Sequence, residues 1–316
     1  MAETPQPEWI PPMLAVLTAE RFSQPGWLFE PKLDGERALA WKRGRDVRLW
    51  SRNRKLLNEE YPELVAAFEA QRAGAFIADG EIVALDGPVT SFSMLQQRMQ
   101  VRHPSPALRK RVPVWFYAFD LLYLEGRDLR VLPLTRRKQL LKDGLDFRDP
   151  LRYTDHVETE GEAVYEEACR QGWEGIIAKH GASRYVSKRS HDWLKFKCVR
   201  EQEFVIGGYT DPRGARTGFG ALLVGYYESG RLRYAGKVGT GYDTRTLERL
   251  AKQLGKLKTS SSPFNGDALP RDAHWVAPKL VAQIGFTEWT GDGKLRHPRF
   301  LGLRDDKEPR EVTREE

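Results

Sequence analysis

Lys32 lies in the run Glu30-Pro31-Lys32-Leu33-Asp34-Gly35-Glu36-Arg37, a lysine set among charges. A lysine attacks an electrophile only as the free amine. With a reference pKa of about 10.4, on the order of one lysine per thousand is neutral at pH 7, a handicap of about 4 kcal/mol. Neighbouring cations lower that pKa, and a covalent intermediate divides one hard step into two easier ones. Arg37 is five positions away, and the alternating Lys195-Phe196-Lys197 places two further ammonium groups on one face of a strand. The expectation is a lysine nucleophile whose pKa is depressed by Arg37, Lys195 and Lys197. Asp34-Gly35 reads as a turn before an alternating strand that begins at Glu36.

Further short motifs follow in order: Ser51-Arg52-Asn53, Asp79-Gly80-Glu81, Phe116-Tyr117-Ala118-Phe119-Asp120, Glu174-Gly175-Ile176-Ile177-Ala178-Lys179, Trp193-Leu194-Lys195-Phe196-Lys197 and Arg304-Asp305-Asp306-Lys307. Each alone is an ordinary turn, core strand or charged surface. Together, from residue 30 to 307, the ordered set resembles the ATP-dependent DNA ligases, within the covalent nucleotidyltransferase superfamily. Pro12-Met13-Leu14-Ala15 and His297-Pro298-Arg299-Phe300 look most like the ligase module of bacterial non-homologous end-joining ligases.

The resemblance implies a mechanism and a site. Lys32 would take AMP from ATP, pass it to a DNA 5′-phosphate, and a 3′-hydroxyl would then displace AMP. Arg37, Lys195 and Lys197 would contact the nucleotide phosphates. Glu174 and Glu81 would serve Mg²⁺ or Mn²⁺, with Glu81 on the ribose or the ion's hydration shell, and Asp79 counted among the hard oxygen donors. Phe119 would stack on adenine, and Glu30 would accept from its exocyclic amine, favouring adenine over guanine. Arg52 would grip the terminal 5′-phosphate of the break. Arg304, Asp306 and Lys307 would reach over from a second domain to help expel pyrophosphate. An RNA ligase or a capping-type guanylyltransferase would share most of these residues, and a non-catalytic DNA-binding module is the reading from another class.

Elements must position these groups, and 316 residues suffice for two domains with real cores. The pattern predicts an α+β protein. Residues 1–199 form a mixed α/β, ATP-grasp-like nucleotidyltransferase domain, and residues 200–316 an all-β barrel of the OB type. In the first, strands are expected near 27–41, 76–84, 112–124, 175–179 and 192–198, with helices at 60–71, 134–141 and 162–170. In the second, strands at 205–209, 221–227, 232–238 and 281–289 surround one helix capped by Asp243.

Composition agrees with a globular chain: 40% hydrophobic, 30% charged, net +7. The basic excess permits a polyanionic partner. Residues 98–111 read as a basic loop tracking a DNA backbone, with Arg213, Arg216 and the 52–55 turn as further phosphate contacts. Cys169 and Cys198 are too few for a disulfide framework, which suggests a reducing bacterial cytoplasm. No signal pattern, membrane span or histidine ligand spacing is present. The glycines at 214–220 and 230–236 have the wrong spacing for nucleotide loops. A monomer acting on nicked or broken duplex DNA is expected, with Ku and polymerase or nuclease modules as partners. Only about 30 residues precede Lys32, so a DNA-clasping N-terminal domain is not expected.

Overall fold

The computed structural model describes residues 4–18, 20–198, 201–212, 217–265, 269–270 and 272–315. It divides into two compact units, Met1–Cys198 and Val199–Glu316. The first opens with β1 (Leu14–Leu17), β2 (Trp27–Pro31), β3 (Glu36–Arg43), β4 (Asp46–Ser51), α1 (Pro62–Glu69) and β5 (Ala75–Val83). A small hairpin, β6 (Leu85–Asp86) and β7 (Val89–Thr90), leads to α2 (Phe92–Leu95), α3 (Pro106–Arg111), β8 (Trp115–Leu124) and β9 (Arg127–Asp128). Then come α4 (Leu134–Gly144), β10 (Leu151–Tyr153), β11 (Val157–Glu158), α5 (Gly161–Arg170), β12 (Gly175–His180) and β13 (Arg189–Lys197).

Two sheets result, ordered β1-β13-β12-β2-β11 and β10-β8-β5-β3-β4, the second with β9 paired to β8. Side-chain alternation decides what each face does. On the first sheet, Phe29, Ile176, Ala178 and Phe196 point to one side and pack on Tyr165 and Ala168 of α5. On the second sheet, Ala38, Ala40, Phe76, Ala78 and Phe116 pack under Leu64 and Phe68 of α1, Leu95 of α2 and Leu141 of α4. The remaining faces meet each other: Trp193 of β13 and Tyr185 join Leu39, Trp41, Ile77, Phe119 and Tyr123 in a shared cluster. Charged motif residues therefore lie between two sheets.

The second unit holds β14 (Glu201–Thr210), β15 (Leu222–Glu228), β16 (Arg231–Val238), α6 (Thr244–Gly255), β17 (Lys258–Thr259) and β18 (Ala273–Gly285), then β19 (Glu288–Trp289), β20 (Leu295–Arg296) and β21 (Arg299–Leu303). Its main sheet is β16-β15-β14-β18-β17, with β21 on β18, every pair antiparallel. A register shift between Ile206 and Gly208 bends β14, and bulges of this kind curl a sheet toward a barrel. Leu247, Leu250 and Leu254 of α6 enter the core. Asp243 caps that helix as expected, its Oδ1 accepting from the Thr246 amide at 2.7 Å. The unit is the OB-type barrel.

Several local expectations are corrected. The basic stretch 98–111 is not a free loop: Pro106–Arg111 is helical, and Arg98 is fully buried. Its guanidinium donates to the carbonyls of Val112 and Glu60 and pairs with Glu63, which satisfies backbone acceptors left over where helix and loop meet. The two cysteines are bonded, Cys169 in the last turn of α5 to Cys198 after β13, with Cα atoms 5.2 Å apart. The strand expected at 281–289 begins earlier, at Ala273, because its first half pairs with β17 and the end of β14. Arg213 and Arg216 lie outside the described residues.

Candidate active site

The run around Lys32 is built by backbone contact more than by turn chemistry. Pro31 ends β2, and the Lys32 amide donates to the Gly175 carbonyl at 2.9 Å, extending the ladder by one residue. Gly175 has φ +147, and a Cβ there would fall 1.9 Å from the Phe196 carbonyl oxygen. Only glycine admits this approach of β12 to β13. Gly35 is likewise a close-approach glycine, since a Cβ would lie 2.2 Å from the Ile82 carbonyl oxygen. Asp34 fastens the segment: its amide donates to Thr90 Oγ1 at 2.9 Å, and its Oδ2 accepts from the Phe92 amide at 3.0 Å.

Register places the charges. Glu30 pairs with Ile177, and Ile177 with Lys195, while Leu28, Lys179 and Trp193 form the next row. With a period of two, Glu30, Lys32, Lys179, Lys195 and Lys197 all project from the face that meets the second sheet. Arg37 on β3 is the cross-strand partner of Glu81 on β5, and Phe119 is on β8. The first unit thus brings Lys32, Glu30, Lys195 and Lys197 together on one sheet, with Glu174 just ahead of β12 paired to Lys32, facing Arg37, Glu81 and Phe119 on the other. Arg52 occupies the turn after β4, half-buried, beside Arg54 and Lys55, which pair with Glu8 and Glu60. Arg304, Asp306 and Lys307 belong to the second unit. There Arg304 grips Asp306 through two bonds of 2.9 and 2.8 Å, and Lys307 lies 3.1 Å from Glu203. Burial raises the Asp306 carboxyl, but Arg304 and Lys307 more than reverse this and hold it below the usual carboxylate range.

Electrostatics correct two expectations. Lys32 does not rest as a depressed amine. Its Nζ forms a close ion pair with Glu174 Oε2. Burial and Lys197 push the ammonium down, but Glu174, with a smaller contribution from Asp34, leaves it above the ordinary lysine value. Asp79 is not an available metal donor. Wholly buried, it accepts from Arg37 Nε at 2.6 Å, Arg37 Nη2 at 2.7 Å and the Tyr185 hydroxyl at 2.6 Å. Tyr185 in turn accepts from the Met13 amide at 2.9 Å. Asp79 therefore orients Arg37, whose guanidinium stands 4.4 Å from the centre of the Phe119 ring. Phe119 itself is buried, with Lys179 Nζ 4.1 Å from the same ring.

Sequence reasoning missed a second charge cluster. Glu30 is buried between two ammonium groups, Lys138 Nζ at 2.6 Å from Oε1 and Lys179 Nζ at 2.5 Å from Oε2. Burial alone would raise the Glu30 carboxyl, but Lys138 and Lys179 outweigh it and hold it below its usual range. Behind it, Arg137 and Asp120 form a bidentate pair at 2.8 Å with neither side chain exposed. For Lys179 a signal existed, the two-residue step from Gly175 and Ile177. No local pattern marks Lys138.

Such an arrangement can bind phosphates and present an amine to an electrophile. Glu174 and Glu81 are hard carboxylate donors of the kind Mg²⁺ takes while keeping its waters and substrate phosphates.

Comparison with known proteins gives one answer. The family pattern described as the ATP dependent DNA ligase domain matches residues 12–197, and the ATP dependent DNA ligase C terminal region matches residues 215–307. The multifunctional non-homologous end joining protein LigD of Pseudomonas aeruginosa is 38% identical over 322 residues, 99% of this chain and 37% of that protein. The multifunctional non-homologous end joining DNA repair protein LigD of Mycobacterium tuberculosis (strain H37Rv) is 39% identical over 311 residues, 96% and 40% respectively. A solved structure of mycobacterial DNA ligase D complexed with ATP and MES superposes with a TM-score of 0.68 at 35% identity, covering 97% of this chain and 98% of that one. The chain spans about two fifths of the length of these two curated relatives.

Proposed function

The chain belongs to the ATP-dependent DNA ligase family, and from that premise we propose that Lys32 is the residue that carries AMP. Its amine attacks the α-phosphorus of ATP, forming an N–P bond as the bond to pyrophosphate breaks. AMP then passes to a 5′-phosphate, and a 3′-hydroxyl displaces it to close the strand. The observation that supports this reading is the shared sheet face holding Lys32, Lys195 and Lys197, with Glu174 paired to the Lys32 amine and the Lys32 backbone fixed to Gly175.

The residues divide the work as follows. Lys195, Lys197 and Arg37 neutralise the phosphates and align the α-phosphorus, electrostatic stabilisation by groups already in place. Glu174 holds Lys32 in the resting enzyme, so the ammonium must lose its proton before it can attack. Glu174 and Glu81 are the residues that would hold a divalent cation, which when bound offsets phosphate charge. Glu30 selects adenine through its exocyclic amine, and Phe119 lines the base site. Arg52 binds the 5′-phosphate of the break, while Arg304, Asp306 and Lys307 act on the leaving pyrophosphate.

We infer further that the substrate is nicked or broken duplex DNA and that the process is end-joining repair, in line with the named role of the LigD relatives. Ku, polymerase and nuclease modules would be the working partners, and the bacterial cytoplasm the working compartment on the likeness to the LigD relatives alone, since the Cys169–Cys198 bond removes the argument from free thiols. A sealing assay on nicked DNA tests the reading: ligation with ATP, lost in Lys32→Ala, is expected. Equal sealing by that variant, or sealing of nicked RNA but not DNA, would overturn it.

A further inference from the structure

The two oxygens of Glu30 are held unequally. Lys138 Nζ donates to Oε1 at 2.6 Å and also to the Thr154 carbonyl at 2.9 Å, so it is anchored at two points. Lys179 Nζ stands 2.5 Å from Oε2, and among the described residues this buried nitrogen has no second acceptor. Its other neighbours are the rings of Phe119 and Trp193, centred 4.1 and 4.3 Å away. Burial holds Lys179 down to about 8, despite Glu30. Lys138, by contrast, stays above the ordinary lysine value: burial lowers it, but Glu30 more than compensates.

Burying three charges is costly, and an apolar cluster of the same volume is commonly as stable. The expense points to a role in recognition. A carboxylate that stays ionised only accepts hydrogen bonds, so it matches a base bearing an amine and opposes one bearing a carbonyl at the same position. That discrimination requires a fixed, charged Glu30 with one oxygen that can be released.

We propose that Lys138 is a positioning residue for base selection: from α4 it clamps Oε1 of Glu30, while Lys179 gives up Oε2 to the exocyclic amine of the incoming purine. The inference rests on the reading of Glu30 as the base contact. Lys138 touches no substrate and acts only through Glu30. Lys179 yields because Glu30 is its one acceptor, whereas Lys138 is tied to the Thr154 carbonyl as well, and the aromatic rings beside Lys179 can retain the cation.

The test compares ATP with inosine triphosphate, which carries a carbonyl in place of the amine, in the lysine-adenylation half-reaction. Wild type, K138M, K138R, E30Q and E30Q/K138M are each assayed for kcat/KM with both nucleotides. Wild type favours ATP. K138M is expected to reduce the ATP-to-inosine ratio about ten-fold or more, mainly through a higher KM for ATP, because a site built to hydrogen-bond a group discriminates strongly only while intact. K138R partly restores the ratio. In the E30Q background, K138M should change the ratio by less than about two-fold, since both substitutions remove one coupled contact. If K138M does not fold, E30Q/K138M against E30Q carries the test, because the double change removes one charge of each sign. A K138M enzyme slowed equally with both nucleotides, or a further drop in ratio on adding K138M to E30Q, overturns the proposal. Wild type that forms no adduct with ATP would instead overturn the reading of Lys32.

Discussion

Asp79→Asn keeps the size of the side chain and removes its charge, which isolates what the carboxylate does for Arg37. Asp79 is 0% exposed and the Arg37 side chain 19%. Three donors converge on Asp79, from Arg37 Nε and Nη2 and from the Tyr185 hydroxyl. An asparagine can accept through one atom only, and its NH₂ would face another donor. Removing one partner of a buried pair costs about 3–5 kcal/mol. The partial exposure of Arg37 favours the lower end, ~3 kcal/mol. For a unit of this size that is about 6–12 °C in Tm. Thermal or denaturant unfolding measures it, and single-turnover adenylation should slow roughly 10–100-fold because Arg37 loses its orientation. Unfolding within about 1 kcal/mol of wild type at an unchanged adenylation rate would refute the argument. Rescue of activity by more divalent cation would show that Asp79 is a metal ligand instead.

Gly175→Ala should cost at least ~3 kcal/mol and leave much of the protein insoluble, because the added methyl meets the Phe196 carbonyl and the backbone lies at φ +147; a soluble variant of wild-type stability in denaturant would contradict this. Lys179 titrates near 8 in the folded chain against 10.5 ordinarily, so the unfolded chain binds more protons between those values and stability rises with pH across that window. The stability of wild type relative to Lys179→Met should therefore increase by up to ~3 kcal/mol from pH 8 to 10.5, and a flat or falling difference in pH-dependent unfolding refutes it. Binding to nicked duplex should weaken linearly in log salt, and replacing the exposed Lys110 and Arg111 by alanine should flatten the slope by about 2; an unchanged slope removes α3 from the DNA contact.

What was readable beforehand depended on range. Lys32, Arg37 and the Lys195/Lys197 alternation are short-range patterns, and the two-residue period alone puts both motif lysines on one face. The helices at 62–69, 134–144 and 161–170 announced themselves through apolar spacing and a glycine or proline at an end. Partner choice was not readable. Asp79 belongs to Tyr185, 106 positions on, and Glu30 to Lys138, 108 positions on. Arg98 looked like part of a DNA-binding run, yet the fold uses it to satisfy buried carbonyls. β1 was not readable because its four apolar residues, Leu14–Leu17, are too short a run for periodicity to assign, and its partner strand lies some 175 residues later, Leu14 opposite Arg189. The resting charge of Lys32 also escaped, since cations near it in sequence said nothing about Glu174, which the fold delivers across a strand.

The most direct test of the account is peptide mass mapping of the protein after incubation with ATP and a divalent cation. A single adenylate on the peptide containing Lys32, labile to acid as a phosphoramidate and missing from Lys32→Ala, is the expected result. An adenylate on any other residue, or its persistence in Lys32→Ala, would contradict the assignment of the nucleophile.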